Sequence, residues 1–136
     1  MSTVTPALGF IGLGVMGSGM CANVVRKHAS PVHAFDLNEG ALAAQVANGA
    51  VEADSVADLA AKSDIIFLSL PGGTQVKAVC REIAQHAGSE TVVVDLSTTA
   101  MTEAREVAAM LSDHGIDFAD APVARAKKAA IDGTLA

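Results

Sequence analysis

Phe10-Ile11-Gly12-Leu13-Gly14-Val15-Met16-Gly17 decides how this chain is read. A short apolar run, Ala7 to Ile11, feeds directly into it. From about Met16 to His28 the pattern is helical, with Met20 and Val24 ahead of a break at Ser30-Pro31. The stretch is therefore a G-x-G-x-x-G set between a strand and a helix. Gly12 permits a tight turn, Gly14 lets the backbone approach a pyrophosphate, and Gly17 lets the helix pack closely on the strand. The helix N-terminus then offers unpaired amides to phosphate oxygens. As a bare pattern this is weak, because alanine- and glycine-rich helices match it by chance. Here the preceding strand, the following helix and the place near the chain start all agree with it.

A fourth feature is Asp36, which ends a second short strand, Val32 to Phe35, 19 residues after Gly17. A carboxylate there can accept hydrogen bonds from the ribose hydroxyls of an adenosine. It would repel a 2′-phosphate, and Leu37-Asn38 brings no arginine to neutralise one. The expected cofactor is thus NAD rather than NADP. The bland reading of Asp36 is a solvated strand-end residue, with the glycines serving packing alone.

Beyond Asp36, apolar runs and helical patterns alternate at short spacing. Asn38 is placed to cap a helix over Glu39 to Asn48, closed by Gly49, and Ser55 precedes a short helix over Val56 to Lys62. Ile65 to Leu70 is nearly continuous apolar and Pro71-Gly72-Gly73 stops it; Thr74 to His86 is helical, with Gly88 beyond. Thr91 to Asp95 is a β-branched strand, Met101 to Ser112 a helix ended by Gly115, and Ile116 to Ala119 a last clear strand. Ala124 to Ile131 has a further helical pattern. Buried strands alternating with helices predict an α/β fold: a Rossmann-like, doubly wound, mostly parallel sheet with helices on both faces. Such a sheet puts its ligand crevice at the carboxyl ends of the strands. Leu70 and Pro71, the hydroxyls of Ser97 and Thr98, and Asp120 all fall at such ends. Thr98 could instead cap the next helix, as could Ser97 or Thr99, and Asp120 could be a plain turn residue.

The 136 residues suit one domain, and 51% hydrophobic residues against 18% charged supply a core and exclude wholesale disorder. With 9 Lys and Arg against 15 Asp and Glu, the formal charge is −6, which disfavours nucleic acid or an anionic membrane as partner. Aromatics are 3%, with no Trp or Tyr, so no stacking surface for bases is available; the four Phe read as core. No apolar stretch is long enough to span a membrane and the start carries no secretory signal, so the expected location is the cytoplasm. Cys21 and Cys80 read as buried free thiols and show no metal-ligand spacing. His28, His86 and His114 lie near predicted helix C-termini, where the dipole favours them, and His33 lies in a strand.

The chain resembles the N-terminal part of the β-hydroxyacid dehydrogenases, the family of 3-hydroxyisobutyrate dehydrogenase. The resemblance rests on Phe10 to Gly17, Leu68-Ser69-Leu70-Pro71, Val94-Asp95-Leu96-Ser97-Thr98-Thr99, Asp120-Ala121-Pro122-Val123 and Gly133-Thr134-Leu135, in the right order over almost the whole chain. It implies that the backbone at Val15 and Met16 touches the pyrophosphate. It further implies that Asp36 binds the adenosine ribose, Leu70 borders the cofactor and Thr98 lies near the nicotinamide. Gly12, Leu13, Gly14, Gly17 and Pro71 complete the cofactor-binding set. Substrates in the family are small β-hydroxy acids or the matching aldehydes, with hydride passing between the carbinol carbon and the nicotinamide. A lysine from a later helix assists proton transfer, and an all-helical C-terminal domain closes the cleft and often carries the contacts of a homo-oligomer.

Two departures from the family pattern matter. Where many members continue Asp-Ala-Pro-Val with Ser-Gly-Gly, this chain has Ala124-Arg125-Ala126. Arg125 offers a fixed fork of donors for a carboxylate, sulfonate or phosphate, similar to the Gly-Arg of sulfolactaldehyde reductase, another branch of the family. The alternative is that Arg125 joins Lys127 and Lys128 on a solvated positive face. Secondly, no Gly-x-x-x-Asn-x-x-Lys pattern occurs, so the family's catalytic lysine has no counterpart among these residues and no catalytic residue is assigned. Residues 1–136 are therefore expected to be a dinucleotide-binding domain truncated before its substrate domain, able to bind NAD weakly but to turn over nothing measurable. A stand-alone nucleotide-binding regulatory module is the competing expectation.

Overall fold

A computed structural model describes residues 6–28 and 31–121. Its elements run β1 (Leu8–Ile11), α1 (Val15–Lys27), β2 (Val32–Phe35), α2 (Glu39–Ala47), β3 (Val51–Glu52), α3 (Val56–Lys62), β4 (Ile65–Leu68), α4 (Gly73–His86), β5 (Val92–Asp95), α5 (Met101–Ser112) and β6 (Asp117–Asp120). All strand pairs are parallel, in the order β3-β2-β1-β4-β5-β6. The chain builds outward from β1 through β2 to β3, then returns to the other side of β1 and builds outward again. The reversal falls between β1 and β4, and that is where a doubly wound sheet opens its crevice.

Alternation along the strands splits the core in two. Ile11, Ile66, Leu68 and Val93 face α3, α4 and α5, where Leu59, Val76, Ile83, Val107 and Leu111 bury against them. Phe10, Ala34 and Phe67 face α1 and α2, meeting Leu13, Met20, Cys21 and Leu42. Phe10 and Phe67 stack with ring centroids 5.9 Å apart. The doubly wound sheet with helices on both faces is thus present as the alternation implied.

Local chemistry sets the helix starts. The Asn38 side chain accepts from Ala41 N–H at 3.0 Å and caps α2; Ser55 does the same for α3 through Asp58 N–H at 3.0 Å. The expected burial of every strand does not hold. β3 is exposed along its length and β6 nearly so, because both are edge strands. β4 ends at Leu68, two residues short of the apolar run, and Ser69-Leu70 turns out of the sheet toward the cleft. Among the described residues no helix is long and apolar enough to cross a membrane. Arg125, Pro122-Val123, the helical pattern from Ala124 and Gly133-Thr134-Leu135 lie outside the described residues.

Candidate functional site

A cleft of about 800 Å³ opens at the carboxyl ends of β1, β2, β4 and β5. Four loops shape it. The β1–α1 loop is made by glycines. Gly12 adopts φ +99°, a conformation that L side chains rarely take. A Cβ on Gly12 would run into the Ser69 carbonyl oxygen, and one on Gly17 into the carbonyl of Gly12. A Cβ on Gly14 would meet nothing within 4 Å among the described residues, so this residue leaves open space on the cleft. Gly14 is also the N-cap of α1, where no side chain caps the helix. The amides of its first turn are left for an outside acceptor.

Asp36 enters the cleft from the end of β2. Its Oδ2 accepts from Leu13 N–H at 2.6 Å and its Oδ1 from Asn38 N–H at 2.7 Å. The carboxylate therefore ties the glycine loop to the β2 end. Each carboxylate oxygen keeps a second acceptor site for a ligand hydroxyl. Beside it, Leu37 is 91% exposed, an apolar side chain standing at the cleft rim.

Gly12, Gly14, Val15, Met16, Gly17, Asp36, Leu70, Pro71 and Thr98 all line this one cleft. Leu13 does not: its side chain is buried in the α1 and α2 core, and its N–H goes to Asp36. Asp120 ends β6 away from the cleft lining. The question left open at Ser97, Thr98 and Thr99 is answered by α5, whose N-cap is Ala100 with no side-chain cap bond. Thr98 is thus an exposed side chain on the cleft.

Asp95 carries no assigned role in the sequence reading, yet it is fully buried at the end of β5. It accepts from Ser97 N–H at 2.9 Å and from the Thr99 hydroxyl at 2.7 Å. In the sequence it closes an otherwise apolar strand and stands in the Val94 to Thr99 block.

The described lining residues include two titratable groups, Asp36 and Glu82, and no Lys or Arg. Neither cysteine lines the cleft. Burial pushes the Cys21 thiol up to about 12; burial, and then the Asp95 charge, push Cys80 to about 12. Both are inert core thiols at neutral pH. The arrangement suits holding and orienting an extended anionic ligand with ribose hydroxyls. An open Gly14, an uncapped helix and a carboxylate one strand away fit a dinucleotide.

Residues 7–136 match the family described as the NAD binding domain of 6-phosphogluconate dehydrogenase. Among curated relatives, 2-(hydroxymethyl)glutarate dehydrogenase of Eubacterium barkeri is 40% identical over 94% of this chain and 43% of its own length. The 3-sulfolactaldehyde reductase of Escherichia coli is 32% identical over 95% of this chain and 44% of its own length. The solved structure of Mycobacterium tuberculosis 3-hydroxyisobutyrate dehydrogenase with L-serine superposes with a TM-score of 0.92 at 33% identity. That match covers 97% of this chain and 45% of the other. The chain spans less than half the length of the curated relatives it matches.

Proposed function

The chain belongs to the family of NAD-binding domains of the 6-phosphogluconate dehydrogenase type, and on that premise we propose that it is the NAD-binding part of an oxidoreductase. The reaction is transfer of hydride between nicotinamide and a small β-hydroxy acid or its aldehyde. The observation that carries the cofactor reading is Asp36, held by Leu13 N–H and Asn38 N–H at the cleft. Its remaining acceptor sites suit the 2′- and 3′-hydroxyls of the adenosine ribose. The uncapped first turn of α1, at Val15 and Met16, would hold the pyrophosphate past Gly14. Leu70, Pro71 and Thr98 would border the nicotinamide half. When bound, the nicotinamide supplies or accepts the hydride. The residues of this chain bind and orient it.

NAD is favoured over NADP on charge. A 2′-phosphate would sit against the Asp36 carboxylate, with no Lys or Arg among the described lining residues to offset it. Calorimetric titration with both nucleotides tests this. The expected result is NAD binding at least about tenfold tighter than NADP, a preference of about 1.4 kcal/mol. Tight NADP binding without an NAD response would overturn it.

The substrate class is supported by what the relatives share. The names of 2-(hydroxymethyl)glutarate and 3-hydroxyisobutyrate dehydrogenases both denote β-hydroxy carboxylates, and 3-sulfolactaldehyde is an aldehyde with an anionic end. Arg125 is proposed to clamp that anion through its guanidinium fork. In the full-length enzyme, Arg125→Ala should raise KM for the anionic substrate with little change in NAD affinity. Unchanged KM would return Arg125 to a solvated face.

A further inference from the structure

The cleft is assembled by two separate structures, and a buried carboxylate organises the second. Asp36 follows β2, the glycine loop follows β1, Leu70 follows β4 and Thr98 follows β5. In the sheet these strands stand side by side as β2-β1-β4-β5. Three strand spacings, about 14 Å, therefore separate the Asp36 end from the Thr98 end. The first two loops can meet an adenosine diphosphate; the last two lie on the other side of the reversal point.

Those last two loops are joined by side chains. Asp95, with none of its surface exposed, accepts from Ser97 N–H and from the Thr99 hydroxyl. Ser97 is itself buried, and its Oγ accepts the Leu70 N–H at 2.8 Å. The chain of contacts runs from Asp95 through Ser97 to Leu70, and from Asp95 to Thr99. Thr98 is the exposed residue between the two that Asp95 holds. Leu70 and Thr98 both line the cleft, and neither touches Asp95 through its own side chain in this network.

A carboxylate out of water at this depth is costly unless its lone pairs are met. Solvation is not the reason for its place. An apolar residue would continue the β-branched pattern of Val92, Val93 and Val94 at less cost. What the carboxylate supplies is two fixed acceptor positions. They hold the turn Ser97–Thr99 in one conformation, with the Ser97 hydroxyl oxygen facing the β4 loop.

We propose that Asp95 is a positioning residue for the nicotinamide half of the cofactor: through Ser97 and Thr99 it locks the Leu70 and Thr98 loops into one wall of the cleft. This rests on the NAD reading given above. It goes further in assigning affinity for one half of the ligand to a residue that does not touch the ligand. The adenosine half, built by glycines and Asp36, should not depend on it.

Calorimetric titration with NAD and with ADP separates the halves, because ADP carries no nicotinamide or second ribose. Asp95→Ala should weaken NAD about tenfold while ADP stays within about twofold, in line with loss of one to two charge-assisted hydrogen bonds. Asp95→Asn keeps an acceptor for Ser97 N–H, and should fall between Asp95→Ala and the parent. Ser97→Ala removes the hydroxyl that accepts the Leu70 N–H, and should show the same split at about threefold to fivefold. It provides the test if Asp95→Ala does not fold. Equal weakening of NAD and ADP, or no change in either, overturns the proposal while leaving the NAD reading standing. A parent chain that binds neither nucleotide overturns the NAD reading and this one with it.

Discussion

At the β1–α1 loop the cleft takes its shape from missing side chains: Gly12 and Gly17 have no room for a Cβ, and Gly14 has room that it leaves empty. At the β4 and β5 loops the shape comes from side chains that are present: Asp95 accepts from Ser97 N–H and the Thr99 hydroxyl, and Ser97 accepts from Leu70 N–H. The first device is steric and local. The second is polar and joins residues 27 apart in the chain. Steric devices fail by unfolding the loop, whereas polar ones fail by loosening it. The two halves should therefore respond differently to substitution.

The largest effect is expected at the crowded glycines. Gly12→Ala places a Cβ against the Ser69 carbonyl in a backbone already at φ +99°, and Gly17→Ala places one against the Gly12 carbonyl. Each should cost about 3 kcal/mol or more, read as a lowered urea midpoint. Gly14→Ala meets no atom of the described residues within 4 Å and should leave stability within about 1 kcal/mol while weakening NAD about tenfold or more. If Gly14→Ala unfolds the protein as Gly12→Ala does, the division of labour among the glycines is wrong.

Asp36→Ala comes next. It frees Leu13 N–H and Asn38 N–H and removes the carboxylate proposed to accept from the ribose. The expected cost is about 1–3 kcal/mol in stability, with a drop of about tenfold in NAD affinity. The control is a pair of helix caps whose side chains are not among the cleft lining, Asn38→Ala keeping the backbone N–H from which Asp36 accepts. Asn38→Ala and Ser55→Ala each lose a helix cap bond and should cost about 1 kcal/mol without altering the NAD-to-ADP affinity ratio. A change in that ratio would show that binding tracks stability, and would erase the contrast between the two halves.

The smallest effect is on pH. His33 sits on β2, half-buried, with Nδ1 out of solvent and without a hydrogen-bond partner among the described residues. Burial first, and then the Lys62 charge, hold its pKa below the ordinary 6.5, with Asp58 opposing. The unfolded chain therefore binds this proton more readily than the folded one. Stability should be full above the ordinary value and fall as pH drops through it, levelling off below the folded pKa. Denaturation midpoints between pH 7 and 5 should show this slope, and His33→Gln should flatten it. A midpoint that rises on acidification would contradict the assignment.

Much of the fold was legible because its signals are local. The glycine spacing, the alternation of apolar runs and helical patterns, and the caps at Asn38 and Ser55 each depend on a few adjacent residues. β3 escaped because two exposed residues, Val51 and Glu52, carry no periodicity. β6 was expected to be buried because Ile116 to Ala119 is mostly apolar, but an edge strand has no neighbour on one side to cover it. Asp36 was legible as a carboxylate closing β2 at the cleft, but its bond to Leu13 N–H was not, since that contact spans 23 residues. Leu13 was grouped with the cofactor set by its place in the motif, and its side chain belongs to the core.

The class of fold, the glycine loop and the acidic residue after it are legible along the chain, because steric freedom at a turn and a carboxylate at a strand end are properties of single positions. Tertiary structure alone decided which loops share a wall. Asp95 reads in sequence as the polar end of a strand. It becomes an organising group only when the sheet carries it out of water and brings Ser97 under the Leu70 amide. A buried hydrogen bond has value only where solvent is excluded and both partners are placed, and neither condition is written at one position of the chain.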